Sequence, residues 1–327
     1  MVQFTQAFSH PFAHSGTNMH VSIQGFQGSF HEVAARRYFG PEPALLACAT
    51  FAGVVAHVVQ GTADAGLMAM ENSLAGNILP NYLLLERHAV SITGEVYLPI
   101  HQHLLALPGT TLADVQAVHS HPMALRQCGE FLDGYPGWKL VETDDTGHSA
   151  QLLAETRTPG VAVVAGAQAA EQFGLQILAP AIHDDPHNYT RFLVLEPTET
   201  ALTNPHADKA SLYFCVPHAP GSLAAVLTRV AAHGLNLSKL QSCPRPGQPW
   251  HYGFHADVEF GQMAQLLALL ADLEPVTDEL RVLGAYRRGS WGEEKAAPLL
   301  GKEGTFQLLA ETGVVDSLHD TRTSLTA

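Results

Sequence analysis

The sequence predicts an α/β protein made of two lobes around a cleft, followed by a smaller βαββαβ module. Three observations predict it. From Val21 onward, short apolar strands alternate with helical stretches, the pattern of α/β layers with mainly parallel sheets. The alternation comes in two blocks, 19–97 and 98–185, and a final strand over 186–197 returns, so a chain that crosses twice builds two lobes. Residues 198–208 are polar and turn-rich, and beyond this linker the order changes to strand, helix, two strands, helix, strand.

In chain order, Val21–Gln24 reads as a strand and Gly28–Phe39 as a helix opened by a glycine turn. Phe51–Gln60 has Phe51, Val54, Val55 and Val58 at helical spacing, Ala65–Met70 is an apolar strand, and Pro80–Arg87 is a helix. Pro99–Leu107 reads as one extended apolar segment. The second block repeats the theme: strand Val115–Ser120, helix Met123–Leu132, strand Lys139–Glu142, helix Thr146–Glu155, strand Val161–Ala165 and helix Ala167–Phe173. Arg191–Leu195 closes it as a strand.

Residues 209–288 form the module. Ser211–Val216 is a strand, and Gly221–His233 a helix with Leu223, Val226, Leu227 and Val230 on one face. Leu235–Cys243 is a strand, and Trp250–Val258 alternates with Trp250, Tyr252, Phe254, Ala256 and Val258 on one side. Helix Gln262–Leu273 and strand Leu280–Tyr286 complete a ferredoxin-like split motif. Residues 289–327 show no clear periodicity and read as a tail. Residues 1–18 are polar and aperiodic, either a disordered extension or a stretch preceding a start at Met19.

With 17 basic against 31 acidic residues, the formal net charge is −14, which disfavours binding to a phosphate backbone. No apolar run is long enough to span a bilayer, and the first residues lack a secretory pattern, so a cytoplasmic protein is expected. Cys48, Cys128, Cys215 and Cys243 are far apart, show no Cys-x-x-Cys spacing and read as reduced thiols, neither a disulfide framework nor a zinc site. His101/His103 and His119/His121 are His-x-His pairs with no third ligand at a metal-like spacing, so no metal site is expected there. A phosphate-binding Gly-x-x-x-x-Gly-Lys loop, a dinucleotide Gly-x-Gly-x-x-Gly turn and a Gly-x-Ser-x-Gly elbow are all missing. That pattern favours chemistry that needs no cofactor.

Four segments carry polar groups at positions suited to a ligand. Gly25–Phe30 lies between a strand and a helix; its amides near Gly28 and Ser29 suit an anion, or Ser29 is simply the helix N-cap. Glu71-Asn72-Ser73 follows a buried strand at its carboxyl end, the usual ligand position in α/β sheets, or starts a capped helix. Thr146 opens a helix after Asp144-Asp145, as N-cap or as a cleft residue. Asn188-Tyr189-Thr190-Arg191-Phe192 brings a hydroxyl and a guanidinium to the start of a core strand. There the arginine can fork onto a carboxylate or stay exposed.

Taken together, these segments resemble the prephenate dehydratase family across residues 20–288. Gly25–Phe30 is similar to the family's Gly-x-x-Gly-Thr-Phe turn, with Ser29 in the threonine place and His31 where a serine is common. Glu71-Asn72-Ser73 with Gly76 resembles Pro-Ile-Glu-Asn-Ser, with Ala69 and Met70 replacing the first two residues. Gly94-Glu95 and Pro99-Ile100 match the segment linking the lobes. His121-Pro122 through Gln127-Cys128 resembles His-Pro-Gln-Ala-Leu-x-Gln-Cys, and Thr190-Arg191-Phe192 the Thr-Arg-Phe motif.

The resemblance implies lobes like those of type II periplasmic binding proteins, with prephenate as substrate, no cofactor, and a homodimer or homotetramer. It assigns Thr190 and Arg191 to catalysis, and Gly28, Ser29, Asn72, Ser73, Gln127, Thr146 and Phe192 to substrate binding. The C-terminal module then resembles an ACT domain that takes L-phenylalanine as effector at Gly221, Ser222, Leu223, Asn236, Gln241 and Ser242. Gln241-Ser242-Cys243-Pro244 stands where Glu-Ser-Arg-Pro is usual, so both charges of that motif are gone. Two rivals share these motifs: an arogenate dehydratase, and a non-catalytic amino-acid sensor.

Overall fold

The computed structural model describes residues 19–197 and 202–290. The expectations for residues 1–18, for the first part of the linker and for nearly all of the tail fall outside the described residues.

The first lobe contains β1 (His20–Gln24), α1 (Phe30–Phe39), β2 (Ala44–Cys48), α2 (Phe51–Val59), β3 (Ala65–Asn72), the short β4 (Gly76–Asn77), α3 (Leu79–Arg87) and β5 (Val90–Pro99). The second contains β6 (His103–Ala106), β7 (Ala117–Ser120), α4 (Pro122–Arg126), α5 (Gly129–Asp133), β8 (Lys139–Glu142), α6 (Thr146–Thr156), β9 (Val161–Ala165), α7 (Ala167–Phe173) and β10 (Gln176–Ala179). Then β11 (Tyr189–Pro197) returns to the first lobe and inserts between β3 and β5, giving the order β2-β1-β3-β11-β5. The second sheet runs β10-β6-β9-β7-β8.

Both sheets are mixed, which corrects the expectation of mainly parallel pairing. Strands β1, β2 and β3 pair in parallel, whereas β11 is antiparallel to both β3 and β5 because it re-enters from the other lobe. In the second sheet β6 is antiparallel to β9 and β10 for the same reason: it follows a crossover, not a helix.

The apolar run Pro99–Leu107 is likewise not one segment. It breaks at Ile100–Gln102, where the chain crosses between lobes beside the second crossing. The Ile100 amide donates to the Asn188 carbonyl at 2.8 Å, and the Ile182 amide to the Gln102 carbonyl at 2.9 Å. These crossings join the two lobes. The helix expected over Met123–Leu132 also breaks, at Cys128, whose φ of −119° is not helical. A fresh helix start follows because Asp184 accepts from the amides of Gly129 and Glu130.

The C-terminal module holds β12 (Lys209–Cys215), α8 (Ser222–Ala232), β13 (Asn236–Pro244), β14 (Tyr252–Glu259), α9 (Met263–Leu273) and β15 (Glu279–Tyr286). Its antiparallel sheet has the order β13-β14-β12-β15. The helices bury Val226, Val230, Leu266, Leu269 and Leu273 against Leu212, Phe214, Ala256 and Val258 on one face of the sheet. Trp250 is not part of that face; it precedes β14 at φ 67° and is 81% exposed.

The opposite face of this sheet rests on the first lobe. Here β15 crosses β5 so closely that a side chain at Gly284 would collide with the Ile92 backbone. Burial of both faces is why β14 carries His255 and Asp257 as buried residues between its apolar ones. Among the described residues, no helix is long and apolar enough to cross a membrane.

Candidate active site

The end of β3 and the start of β11 lie side by side, with Thr190 opposite Asn72 in the register. The Asn72 side chain is held at both ends. Its Oδ1 accepts from the amides of Leu74 and Ala75 at 3.0 and 2.9 Å, which turns its NH2 toward β11. Nδ2 then donates to Thr190 Oγ1 at 3.0 Å, to Asn188 Oδ1 at 2.7 Å and to the Tyr189 carbonyl at 3.1 Å. The second lobe joins through Gln127, whose Oε1 accepts from Asn188 Nδ2 at 2.9 Å. Its Nε2 makes only a long 3.5 Å contact to Asn72 Oδ1. Ser73 Oγ donates to the His187 carbonyl and accepts from the Tyr189 amide, so it pins the returning crossing.

The structure therefore brings together Asn72, Ser73, Gln127 and Thr190 across the two lobes. Asn188 is the residue that sequence reading missed. It is 1% exposed and bridges Asn72 to Gln127, and its presence beside Thr190 in the quoted segment was the available signal.

Thr146, Gly28 and Ser29 meet at a second contact between the lobes. Helix α6 is capped by Asp145, not by Thr146: Asp145 Oδ1 accepts from the His148 amide at 2.9 Å. The helix start packs directly on the β1–α1 turn. A Cβ on Gly147 would lie 2.7 Å from the Gln27 carbonyl oxygen and 2.8 Å from the Ser29 nitrogen. Phe26 stacks on His148 with ring centroids 4.3 Å apart. Burial raises the Asp145 carboxyl above its ordinary value.

The anion-binding reading of Gly28 and Ser29 is corrected, because their amides are already used. The Gly28 amide donates to Glu32 Oε2 at 2.8 Å, and the Ser29 amide to the Phe26 carbonyl at 3.2 Å. Ser29 itself is the N-cap of α1, its hydroxyl accepting from Glu32.

Arg191 is not in the cleft either. Neighbouring residues of a strand point to opposite faces, so with Thr190 facing Asn72 the guanidinium faces the C-terminal module. It is 5% exposed and pairs with Glu95 Oε2 at 2.7 Å and Asp257 Oδ2 at 2.6 Å. Lys209 adds a second cation, 3.0 Å from Glu95 and 3.9 Å from Asp257. Ser211 and Tyr286 supply hydroxyls to the cluster. Burial alone would raise the Asp257 carboxyl, but Arg191 and Lys209 outweigh it and hold it below its ordinary value. Phe192 is also withdrawn: it is 1% exposed, packed in the first lobe's core with its ring edge-on to His31 at 5.0 Å.

The expected effector residues lie at the start of α8 and along β13. Gly221 caps α8 in the left-handed region at φ 85°, Ser222 begins that helix, and Leu223 packs on the module's core. Asn236 Nδ2 donates to Glu259 at 3.2 Å. Gln241 and Ser242 point to opposite faces of β13, Gln241 toward the first lobe, where it accepts from Asn77 Nδ2 at 2.6 Å. Next to it Lys239 Nζ bonds Asn77 Oδ1 at 2.6 Å and pairs with Glu71.

The sequence profile of prephenate dehydratases matches residues 21–200, over half of the chain. The chain belongs to the prephenate dehydratase family. Within reach of that family, it is 36% identical over 291 residues to arogenate dehydratase 1 of Petunia hybrida, a match covering 83% of this chain and 67% of the relative. The prephenate dehydratase of Arthrobacter aurescens, solved in complex with L-Phe, superposes with a TM-score of 0.73 at 28% identity, covering 83% of this chain and 90% of that one. The quorum quenching acylase GqqA superposes with a TM-score of 0.75 at 32% identity, covering 82% and 98%. The family's fold, an α/β architecture with mixed sheets, is the one seen here.

Proposed function

We propose that the chain is a prephenate dehydratase, converting prephenate to phenylpyruvate, with its C-terminal module acting as an ACT domain that senses L-phenylalanine. The observation that carries the reading is the bond from Asn72 to Thr190. Because Oγ1 accepts from an amide, the hydroxyl proton is polarised toward the cleft and is free to donate.

The reaction needs such a donor and little else. Prephenate dianion and one proton give phenylpyruvate, carbon dioxide and water. The bond to the ring carboxylate breaks, its electron pair enters the ring, and the ring C–OH bond breaks. Aromatisation drives the step. Thr190 stabilises the departing hydroxide by hydrogen bonding, with a water completing the proton transfer, since a threonine hydroxyl is too weak an acid to supply it outright. Asn72, Asn188 and Gln127 hold that hydroxyl and orient the ring, and Thr146 faces the substrate from the second lobe. Arg191 acts from behind the sheet as a brace.

The acylase shares the fold, so the hydroxyls must decide between the two chemistries. Acyl transfer calls for a nucleophile activated by a neighbouring base. Ser73 is committed to two backbone groups and Thr190 to Asn72; the bonds described for them involve no histidine ring.

For regulation, Lys239 and Gln241 touch Asn77 and Glu71, the residues paired across the β3–β4 hairpin. Asn72 is next in that hairpin, so a displacement of β13 reaches Thr190 through one residue. Assembly as a homodimer or homotetramer belongs to the same reading. The test is turnover by purified protein of prephenate and arogenate, side by side and without added metal. Prephenate should be consumed with release of phenylpyruvate. Consumption of arogenate alone would move the substrate assignment to the amino analogue, and no turnover by folded protein would leave a sensor.

A further inference from the structure

The interface between the first lobe and the C-terminal module contains a cluster that the reaction does not use. Glu86, Cys243 and His255 place one carboxylate oxygen, one thiol sulfur and one ring nitrogen all within 4.8 Å of one another. Among the described residues, no other group of histidine, cysteine and acidic side chains converges this way. We infer that this cluster is a binding site for a zinc-class divalent metal, with three protein ligands joining the lobe to the module.

The strand register builds the site. β13 and β14 pair Gln241 with His255 and Cys243 with Gly253, so Cys243 and His255 are diagonal neighbours on the face turned toward the first lobe. Glu86, in the last turn of α3, reaches that face and sits 2.8 Å from His255 Nε2. Cys243 and His255 are each 4% exposed. The rings of Tyr82 and Tyr213 flank the imidazole at 4.8 and 5.1 Å, fixing its plane.

Donor chemistry selects the metal. Thiolate and imidazole favour zinc over magnesium or calcium, which take oxygen ligands. Bond lengths of about 2.0–2.3 Å in a tetrahedral site put ligand atoms roughly 3.5 Å apart. The Glu86–His255 pair, now at 2.8 Å, opens by under ~1 Å to admit the ion, and the widest separation, within 4.8 Å, closes by at most ~1.3 Å. The charge also fits a buried location. One thiolate, one carboxylate and one neutral imidazole balance a divalent cation to zero, which avoids a net buried charge. Metal binding expels the Cys243 thiol proton to solvent, and shifts the imidazole proton to the ring nitrogen left free. Without metal, burial holds that thiol up at about 11, so it remains protonated. A cleft of about 500 Å³, lined by Glu86, Arg281 and Leu283, reaches the Glu86 side of the cluster.

The experiment uses the full chain, purified in reducing buffer, stripped with a chelator, incubated with zinc and freed of excess by gel filtration. Mass spectrometry of the metal should find about one zinc per chain, and cobalt substitution should give a near-ultraviolet sulfur-to-metal charge-transfer band. Cys243→Ser should lose both, and Glu86→Gln should weaken retention, with circular dichroism and the chelator-treated melting temperature confirming that each variant is folded. Zinc retained equally by Cys243→Ser would trace to the 19 histidines and overturn the site, as would a wild-type chain that holds none. Either result leaves the assignment of the dehydratase reaction untouched, because the cluster lies outside the cleft.

Discussion

Replacing Arg191 by methionine separates a brace from a catalytic residue. The cluster of Arg191, Lys209, Glu95 and Asp257 is buried and balanced, with two cations and two anions. Removing the guanidinium leaves two carboxylates sharing one lysine out of reach of water. Breaking a buried pair in this way costs about 3–5 kcal/mol. Lys209 stays 3.0 Å from Glu95 and 3.9 Å from Asp257, which favours the lower end of that range. At roughly 2–4 °C per kcal/mol for a chain of this order, the melting temperature should fall by roughly 6–12 °C. Differential scanning calorimetry reads the loss, and steady-state turnover well below the new midpoint reads the chemistry, where kcat should stay within about fivefold. The double variant Arg191→Met, Asp257→Leu should recover part of the stability, because it removes one orphaned charge. An unchanged melting temperature with kcat down by about a hundredfold would show that Arg191 works in the cleft after all, and the reasoning from strand alternation would be refuted.

Other consequences are equally direct. His31, packed against Phe51 and Phe192 with its Nε2 buried and unbonded, has its pKa lowered by burial to about 4. The unfolded chain therefore takes up that proton first, and stability should decline as pH falls from about 6.5 toward 4, by at most about 3 kcal/mol. His31→Phe should flatten that part of a urea-denaturation pH profile; an unaltered slope would mean that other groups cause it. Gly147→Ala forces a methyl group onto the Gln27 carbonyl and should part the lobes slightly, lowering kcat/KM by roughly 10- to 100-fold; full activity in the alanine variant would show that the α6 contact is dispensable. Lys239→Met cuts the link from β13 to Glu71 and Asn77, so the phenylalanine concentration for half inhibition should rise by roughly fivefold or more. An unchanged inhibition curve would send the coupling elsewhere.

The local patterns were readable because they depend on neighbours in sequence. Phe51, Val54, Val55 and Val58 specify α2, and the apolar stripe of α8 is the one that packs. Mixed pairing was not readable, since the direction of β11 depends on a crossing some ninety residues after β5 begins. Arg191 shows the same limit more sharply. Alternation tells that Thr190 and Arg191 face opposite ways, but not which face is the cleft. That is decided by Glu95, Lys209 and Asp257, and the last two of these lie in the C-terminal module. Gly28 and Ser29 offered amides in the sequence, and only the fold shows them spent, on the Glu32 carboxylate and the Phe26 carbonyl. His255 and Asp257 are not legible as buried residues, because alternation marks only the apolar side of β14 and the cover on its other side comes from a distant part of the chain.

The central claim is that the Thr190 hydroxyl, held by Asn72, assists the departure of the ring hydroxide. Turnover of prephenate by Thr190→Val and Thr190→Ser, compared with the parent chain, measures it most directly. Valine keeps the shape of the side chain and deletes the donor, so kcat should fall by roughly 10²–10³ with the melting temperature little changed. Serine should keep a sizeable part of the rate, because its hydroxyl can still accept from Asn72 and donate into the cleft. A folded Thr190→Val protein that turns over prephenate at the parent rate would contradict the account.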